Sequence, residues 1–360
     1  MASRSQRLPW AAAGALLVAA LLLTGCSGQS LTPTSWPGLA ADAETVYVAS
    51  NQALHAVNLA TGTERWRFPV EADRALTLYA PPLVTDTGLV ILGGFNKTVY
   101  AIQASNGNQV WTFKQAKDRY VGGATQAGEL ILVPCADNTL YALQKASGVL
   151  VWSFKTKASL WAAPLVDGEV VYLPSQDHTL YALDLKTGNA LWSAELGGAL
   201  SDTPALTDGL LLAGTFGQGL ASVDRETGKP GWSVPTDGWV WGSPAVDETT
   251  AYFGDLSGTA RAVSLEDGAP RWSYEVGGGV VASPVLGEGI VYFASDAGLV
   301  QARSADDGSS KWVVTLAGPV NSDPLLAGDQ LLVAISSGDV LLAALDPATG
   351  ATRWTYTPAK

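Results

Sequence analysis

The sequence predicts an all-β fold, an eight-bladed β-propeller whose blades are four-stranded antiparallel sheets, and three observations predict it. The tryptophans Trp66, Trp111, Trp152, Trp192, Trp232, Trp272, Trp312 and Trp354 recur at intervals of 45, 41, 40, 40, 40, 40 and 42 residues. A fixed period near forty marks stacked copies of one unit that bury each other's apolar faces. Four residues before each tryptophan stands a glycine (Gly62, Gly107, Gly148, Gly188, Gly228, Gly268, Gly308, Gly350), and each glycine follows a short polar side chain. That pair reads as a hairpin turn, because the polar side chain can bond its own backbone and glycine accepts positive φ without a steric cost. Ten residues before each tryptophan lies Ala56, Ala101, Ala142, Ala182, Ser222, Ala262, Ala302 or Ala344, a small residue every time. Such a slot implies a large neighbour.

Within one copy, the residues from Ala163 to Val166 read as a first strand and Asp167-Gly168 as a turn. Val170 to Pro174 forms the second strand, Gln176 to Thr179 a turn, and Leu180 to Leu183 the third strand. Lys186 to Gly188 then turns the chain into a fourth strand, Ala190 to Ala194, which carries Trp192. Four short strands per forty residues, repeated eight times, select a propeller among all-β architectures. In seven of the eight copies a proline opens the first strand (Pro37, Pro82, Pro164, Pro204, Pro244, Pro284, Pro324), with Ala124 in the third copy. A strand's first residue needs no ladder donor, so proline is tolerated there, and the strand that follows is expected to be innermost and to line the channel. The repeat tryptophans are expected to act as structural wedges between blades, each burying on the order of 150–250 Å².

The chain divides into residues 1–25, 26–36 and 37–360. Arg4 and Arg7 precede an apolar run from Ala11 to Leu23, too short for a comfortable membrane span and shaped as an export signal. Residues 26–36 form a short polar leash that begins with Cys26, and residues 37–360 are the single propeller domain. With 47% apolar and 15% charged residues, the chain can bury a large core. Beyond residue 25 it holds 33 acidic and 19 basic side chains, a balance that argues against nucleic acid as a partner and against charge-driven adsorption to anionic lipid. Cys135 lacks a disulfide partner and aligns with small residues in the other copies, which implies a packed, inert thiol.

Leu23-Thr24-Gly25-Cys26 resembles the lipobox of bacterial lipoproteins, in which the chain is cut before the cysteine and its thiol is lipidated. The run Ala182-Leu183-Asp184-Leu185-Lys186-Thr187-Gly188-Asn189-Ala190-Leu191-Trp192 resembles the tryptophan-docking motif of the pyrroloquinoline-quinone (PQQ) repeat. Val223 to Trp232 and Leu345 to Trp354 repeat it with Asp224 and Asp346, and other copies replace the aspartate by Asn58, Gln103, Gln144, Ser264 or Ser304. The resemblance spans residues 37–357. Together with the lipobox it is closest in kind to the BamB-type outer-membrane assembly lipoproteins, which are eight-bladed and non-enzymatic. It implies a monomeric protein-interaction scaffold, lipid-anchored through Cys26 at the cell envelope. The implied location is the periplasmic face of the outer membrane, or the outer face of the cell membrane in a host without one. It also implies an envelope partner, the outer-membrane β-barrel assembly machinery, and no cofactor. Gly197 to Thr203, the counterpart of an arginine-bearing partner segment in that family, contains no arginine.

Other members of the superfamily are quinone-dependent dehydrogenases, so two rival readings are a quinone- or small-ligand-binding receptor and a PQQ-dependent dehydrogenase. No catalytic residue is assigned. His55 occupies a third-strand position where other copies have Tyr100, Tyr141 and Tyr181, and His178 lies in a polar turn. No metal-ligand spacing is present. Asp202 and Asp323 occur just before inner-strand prolines and read as separate, solvated carboxylates, with a cation at the channel mouth as the sharper alternative. Three residues before inner prolines lie Tyr79, Trp161 and Trp241, with Trp239 nearby. These four form a candidate partner-binding rim on one face, to be weighed against ordinary loop packing.

Overall fold

A computed structural model describes residues 36–359 apart from 72, 74 and 75. The expected signal segment (1–25) and the lipidation site Cys26 lie outside the described residues, as does the leash before Trp36. The rest forms thirty-two strands, β1 to β32 in chain order, grouped as eight four-stranded antiparallel meanders with no helix among the described residues. In the first blade β1 (Gly38–Ala41), β2 (Thr45–Ser50), β3 (Ala53–Asn58) and β4 (Glu64–Phe68) pair in sequence order. The first strands of neighbouring blades approach one another around the axis, so the strand after each proline is innermost. The two middle strands carry the densest burial, as in β2, whose six residues are all buried. Side chains there point alternately into the cores shared with the blade on either side.

Each repeat tryptophan joins its own blade to the next. Within the blade it lies opposite the small residue ten positions earlier, as in the pairs Ala56/Trp66, Ala142/Trp152 and Ala344/Trp354. In the fifth blade the slot residue Ser222 instead donates its hydroxyl to the Trp232 carbonyl. Across the seam, the indole lies flat against the turn glycine of the following blade. All eight glycines have φ between +69° and +76°, and an added Cβ would come within 2.4–2.9 Å of the ring. Glycine is therefore required twice over, for its left-handed backbone and for the approach of the indole. Seven of the indoles also donate Nε1–H to a carbonyl of the next blade, for example Trp111 to Lys145 at 2.9 Å and Trp152 to Leu185 at 3.0 Å.

The ring closes without exchange of a strand, since every blade is built from one continuous segment. Trp354 of the last blade rests on Gly62 of the first and donates to Leu59 O at 3.1 Å, and Gln330 Nε2 reaches the same carbonyl at 3.1 Å. An additional polar clasp crosses this seam. Glu64 on β4 accepts hydrogen bonds from His55 on β3, from Arg67 and from the hydroxyl of Tyr356 on β32 (Thr352–Tyr356). Tyr356 and His55 Nδ1 are also 3.0 Å apart. His55 is thus a buried aromatic of the third strand that has acquired a role in closing the ring.

Candidate functional site

In an up-and-down meander the turns between second and third strands emerge on the same face as the connections between blades, while the docking turns emerge on the other. Each connection is anchored by one apolar residue four positions before its proline or its equivalent, including Tyr120, Leu160, Leu200 and Val240, all at most 1% exposed. The next residue points the opposite way, toward the axis. That alternation places Tyr79, Trp161 and Trp241 in the wall of a central cavity of about 370 Å³. Trp239, 49% exposed, stands outside that wall on the rim and stacks on Phe216 with centroids 4.7 Å apart.

The sequence reading missed three further rings. Trp36, directly before the first inner proline, lies 5.4 Å from Tyr79 and 5.3 Å from Trp241 between ring centroids. Tyr79 and Trp241 belong to the connections into the second and sixth blades, which are opposite one another in an eightfold ring, so Trp36 spans the channel mouth. Phe95 stacks on Tyr79, and Phe216 packs on Trp241 at 4.9 Å. Trp36 and Phe216 thus link Tyr79, Trp241 and Trp239 into one aromatic array, and three of the four candidates, Tyr79, Trp161 and Trp241, face the axis rather than the outer rim. Trp161 stacks on no other described ring. Burial lifts the Tyr79 hydroxyl to about 12, so it remains neutral.

Asp202 and Asp323 differ from the expectation of separate, solvated carboxylates. Asp202 Oδ2 accepts from Ser243 N–H and from the Ser283 hydroxyl, both at 3.0 Å, and Asp323 Oδ1 accepts from Ser283 N–H at 2.7 Å. Ser283 thus couples carboxylates that arrive from the fifth and eighth blades, because the channel is narrow enough for connections to meet across it. Both carboxyls are raised above the ordinary range. The leading cause is removal from bulk water, although Asp323 still opens onto the channel; the charge of Asp202 adds to the rise at Asp323. When the folded value exceeds the unfolded one, the native state holds extra protons and stability falls as pH rises through the folded value. Asp323→Asn keeps an acceptor for Ser283 and removes this penalty. Its melting temperature is expected to exceed that of the parent by roughly 1–3 °C at about pH 8 and to match it at about pH 4. A difference that does not change with pH would contradict the coupling.

The other singled-out groups lie away from this cavity. His178 adopts φ +71° in a second-to-third-strand turn, a conformation taken by Gly258 and Gly298 in later blades. Cys135 is fully buried, donates to the Asp118 carbonyl at 3.3 Å, and is pushed up to about 12 by burial. Gly197 to Thr203 forms the connection into the fifth blade and contributes Ser201, Asp202 and Thr203 to the cavity. No group of three or more histidine, cysteine or acidic side chains suited to a metal is found among the described residues.

A second surface feature runs around the perimeter, where the fourth strand of each blade is a sheet edge. The residue before the docking tryptophan is Val110 on β8 (Gln109–Phe113), Val151 on β12 (Leu150–Lys155) and Leu191 on β16 (Ala190–Glu195). All three are 49–55% exposed, and Val149, 58% exposed, flanks them. The same position is Arg65, Arg271, Lys311 or Arg353 in the first, sixth, seventh and eighth blades. At this one position the perimeter is therefore apolar in three consecutive blades and cationic in four of the other five.

The family model described as outer membrane protein assembly factor BamB matches residues 26–131, 96–238, 176–278 and 217–360. The chain belongs to the BamB family. Among solved structures, BamB from Moraxella catarrhalis is similar with 17% identity and a TM-score of 0.73, over 83% of this chain and 93% of that one. Saccharomyces cerevisiae Sqt1 is similar with 12% identity and a TM-score of 0.74, over 85% of this chain and 94% of that one. A europium-containing methanol dehydrogenase is similar with 14% identity and a TM-score of 0.64, over 83% of this chain and 81% of that one. At such identities these likenesses speak to the propeller alone. No curated protein sequence matches the chain. This BamB-family propeller does not suit pyrroloquinoline quinone: the quinone carries three carboxylates, whereas the charged groups lining the cavity are Asp202, Asp323 and a single cation, Arg119.

Proposed function

We propose that this BamB-family propeller is a non-catalytic scaffold, lipid-anchored at the cell envelope through Cys26, that assists outer-membrane protein assembly by binding the periplasmic part of the β-barrel insertase. The observation that carries the reading is the apolar arc of Val110, Val151 and Leu191 on three consecutive sheet edges. Exposed edges offer unpaired backbone groups to an added strand, and natural proteins normally blunt them with charge. Here the position before the docking tryptophan is cationic in four of the other five blades and apolar in these three. Exposed apolar side chains at one position of successive blades favour a partner site on this arc. The family assignment supports an outer-membrane assembly partner, and the aromatic rim at Trp239 offers a second anchor on the adjoining face. A host outer membrane would place the lipid anchor on its periplasmic side.

Replacing Val151 and Leu191 together by lysine is expected to abolish co-purification of the insertase from native membranes. Because both residues point into solvent, the melting temperature should change by no more than about 1 °C. Undiminished recovery of the insertase with the doubly substituted protein would refute the docking arc, and failure of the unsubstituted protein to recover it would refute the scaffold reading.

A further inference from the structure

We propose that the channel mouth binds a small, free organic cation of the quaternary-ammonium or alkylated-amine class, caged by Trp36, Tyr79, Trp161 and Trp241 and neutralised by Asp202 and Asp323. The cavity of about 370 Å³ falls in the size range of small-ligand pockets. Its rings come from three separate connections and from the segment before β1, where Trp36 roofs it between Tyr79 and Trp241. The face of an indole or phenol ring carries negative quadrupolar potential, which attracts a cation most strongly when the cation sheds little hydration.

The carboxylates supply what the rings cannot, a full counter-charge. Among the described residues the hydrogen-bond donors to both carboxylates are neutral: the backbone of Thr203, the backbone and side chain of Ser243 and the Ser283 hydroxyl for Asp202, and the backbone and side chain of Ser283 for Asp323. Neither forms an ion pair with a lysine or arginine. Arg119, the one basic residue of the lining, is drawn instead over the Phe95 ring at 5.2 Å. Two acidic groups on the channel wall without a cation partner among the described residues constitute an unmet electrostatic demand, which a bound cation would satisfy. Apolar rings on the other walls cannot replace the water shell of a small inorganic ion, so the complementary ligand is a bulky, weakly hydrated cation. This inference goes beyond the scaffold role and does not depend on it, because the arc on the perimeter and the cavity on the axis share no residue.

The test uses the purified protein with choline and its uncharged isostere 3,3-dimethylbutan-1-ol, followed by calorimetry and tryptophan fluorescence. Saturable choline binding is expected, with the isostere at least about tenfold weaker. Asp202→Asn combined with Asp323→Asn should weaken choline by about tenfold or more, and Trp161→Ala should do the same. The charged or titratable groups of the lining are Asp202, Asp323, Arg119 and Tyr79; burial raises both carboxyls, Asp323 to about 7, so choline affinity should be lower at about pH 5 than at about pH 8. The lysine variants of Val151 and Leu191 should bind choline as the parent does, which separates failure of this site from failure of the scaffold reading. Equal affinity for choline and the isostere would overturn the proposal, as would undiminished choline binding in the double asparagine variant or the absence of saturation by about 50 mM. If Trp161→Ala does not fold, the comparison of choline with its isostere on the parent protein decides.

Discussion

Trp111→Ala is expected to destabilise the propeller by about 3–5 kcal/mol, through lost burial and the cavity left between two blades. Over a domain of this size that corresponds to a fall in melting temperature of roughly 4–8 °C. Trp111 is the most buried of the docking tryptophans at 8% exposure, and its Nε1–H bond to Lys145 O would be lost with it. The sharper test is the coupling with Gly148. That glycine has φ +69°, and an added Cβ would lie 2.4 Å from Trp111 Cε3, so Gly148→Ala should be costly for both backbone and collision. In the Trp111→Ala background the collision disappears, leaving backbone strain alone. The double variant should therefore be more stable than the sum of the single effects implies by about 1 kcal/mol or more. Strict additivity, measured by denaturant unfolding, would show that the glycine is needed for φ only.

Glu64→Ala is expected to cost about 2–3 kcal/mol, because it leaves Tyr356, His55 and Arg67 without their shared acceptor at the closing seam. The effect should be local. Hydrogen exchange should accelerate first in β3, β4 and β32, while seams between other blades keep their protection; a uniform acceleration around the disc would argue against a clasp. The seam should also be acid-sensitive in the parent protein. Burial pushes Glu64 up, but hydrogen bonds from Tyr356, Arg67 and His55 outweigh it and hold the carboxyl below its ordinary value. That contribution is present above the unfolded value and is lost as pH falls through the folded one. Burial depresses His55 despite Glu64, so its neutral form is favoured and protonation below its ordinary value also costs stability. Both shifts have the same sign, and acidification should loosen this seam before the others.

The architecture was legible because its signal is repeated. Eight tryptophans at near-constant intervals, each with a turn glycine, leave little freedom in blade number, and the strand boundaries read for the fourth copy differ from those observed by only one or two residues. The cavity was legible in part. Tyr79, Trp161 and Trp241 share one offset from the inner prolines, so the repeat frame exposed them, while Trp36 escaped because it stands at a different offset in the first copy. Phe95 and Phe216 come from another set of turns and meet the same wall only in three dimensions. Asp202 and Asp323 lie two residues and one residue before their prolines. Their approach through Ser283 depends on the width of the channel, which no periodicity reports. The perimeter arc was present in the sequence as Val110, Val151 and Leu191 before their tryptophans, but its meaning required knowing that those strands are sheet edges.

Closure by a docked indole rather than by a shared strand makes the first and last blades neighbours of the same kind as any other pair. The covalent order of the blades is then almost incidental to the disc: the chain could be opened at another inter-blade connection and rejoined at the present seam with each sheet left whole. A propeller assembled in this way can be rearranged, lengthened or shortened in units of about forty residues, and the exchange of complete copies within a gene would leave every hydrogen-bonded ladder uncut.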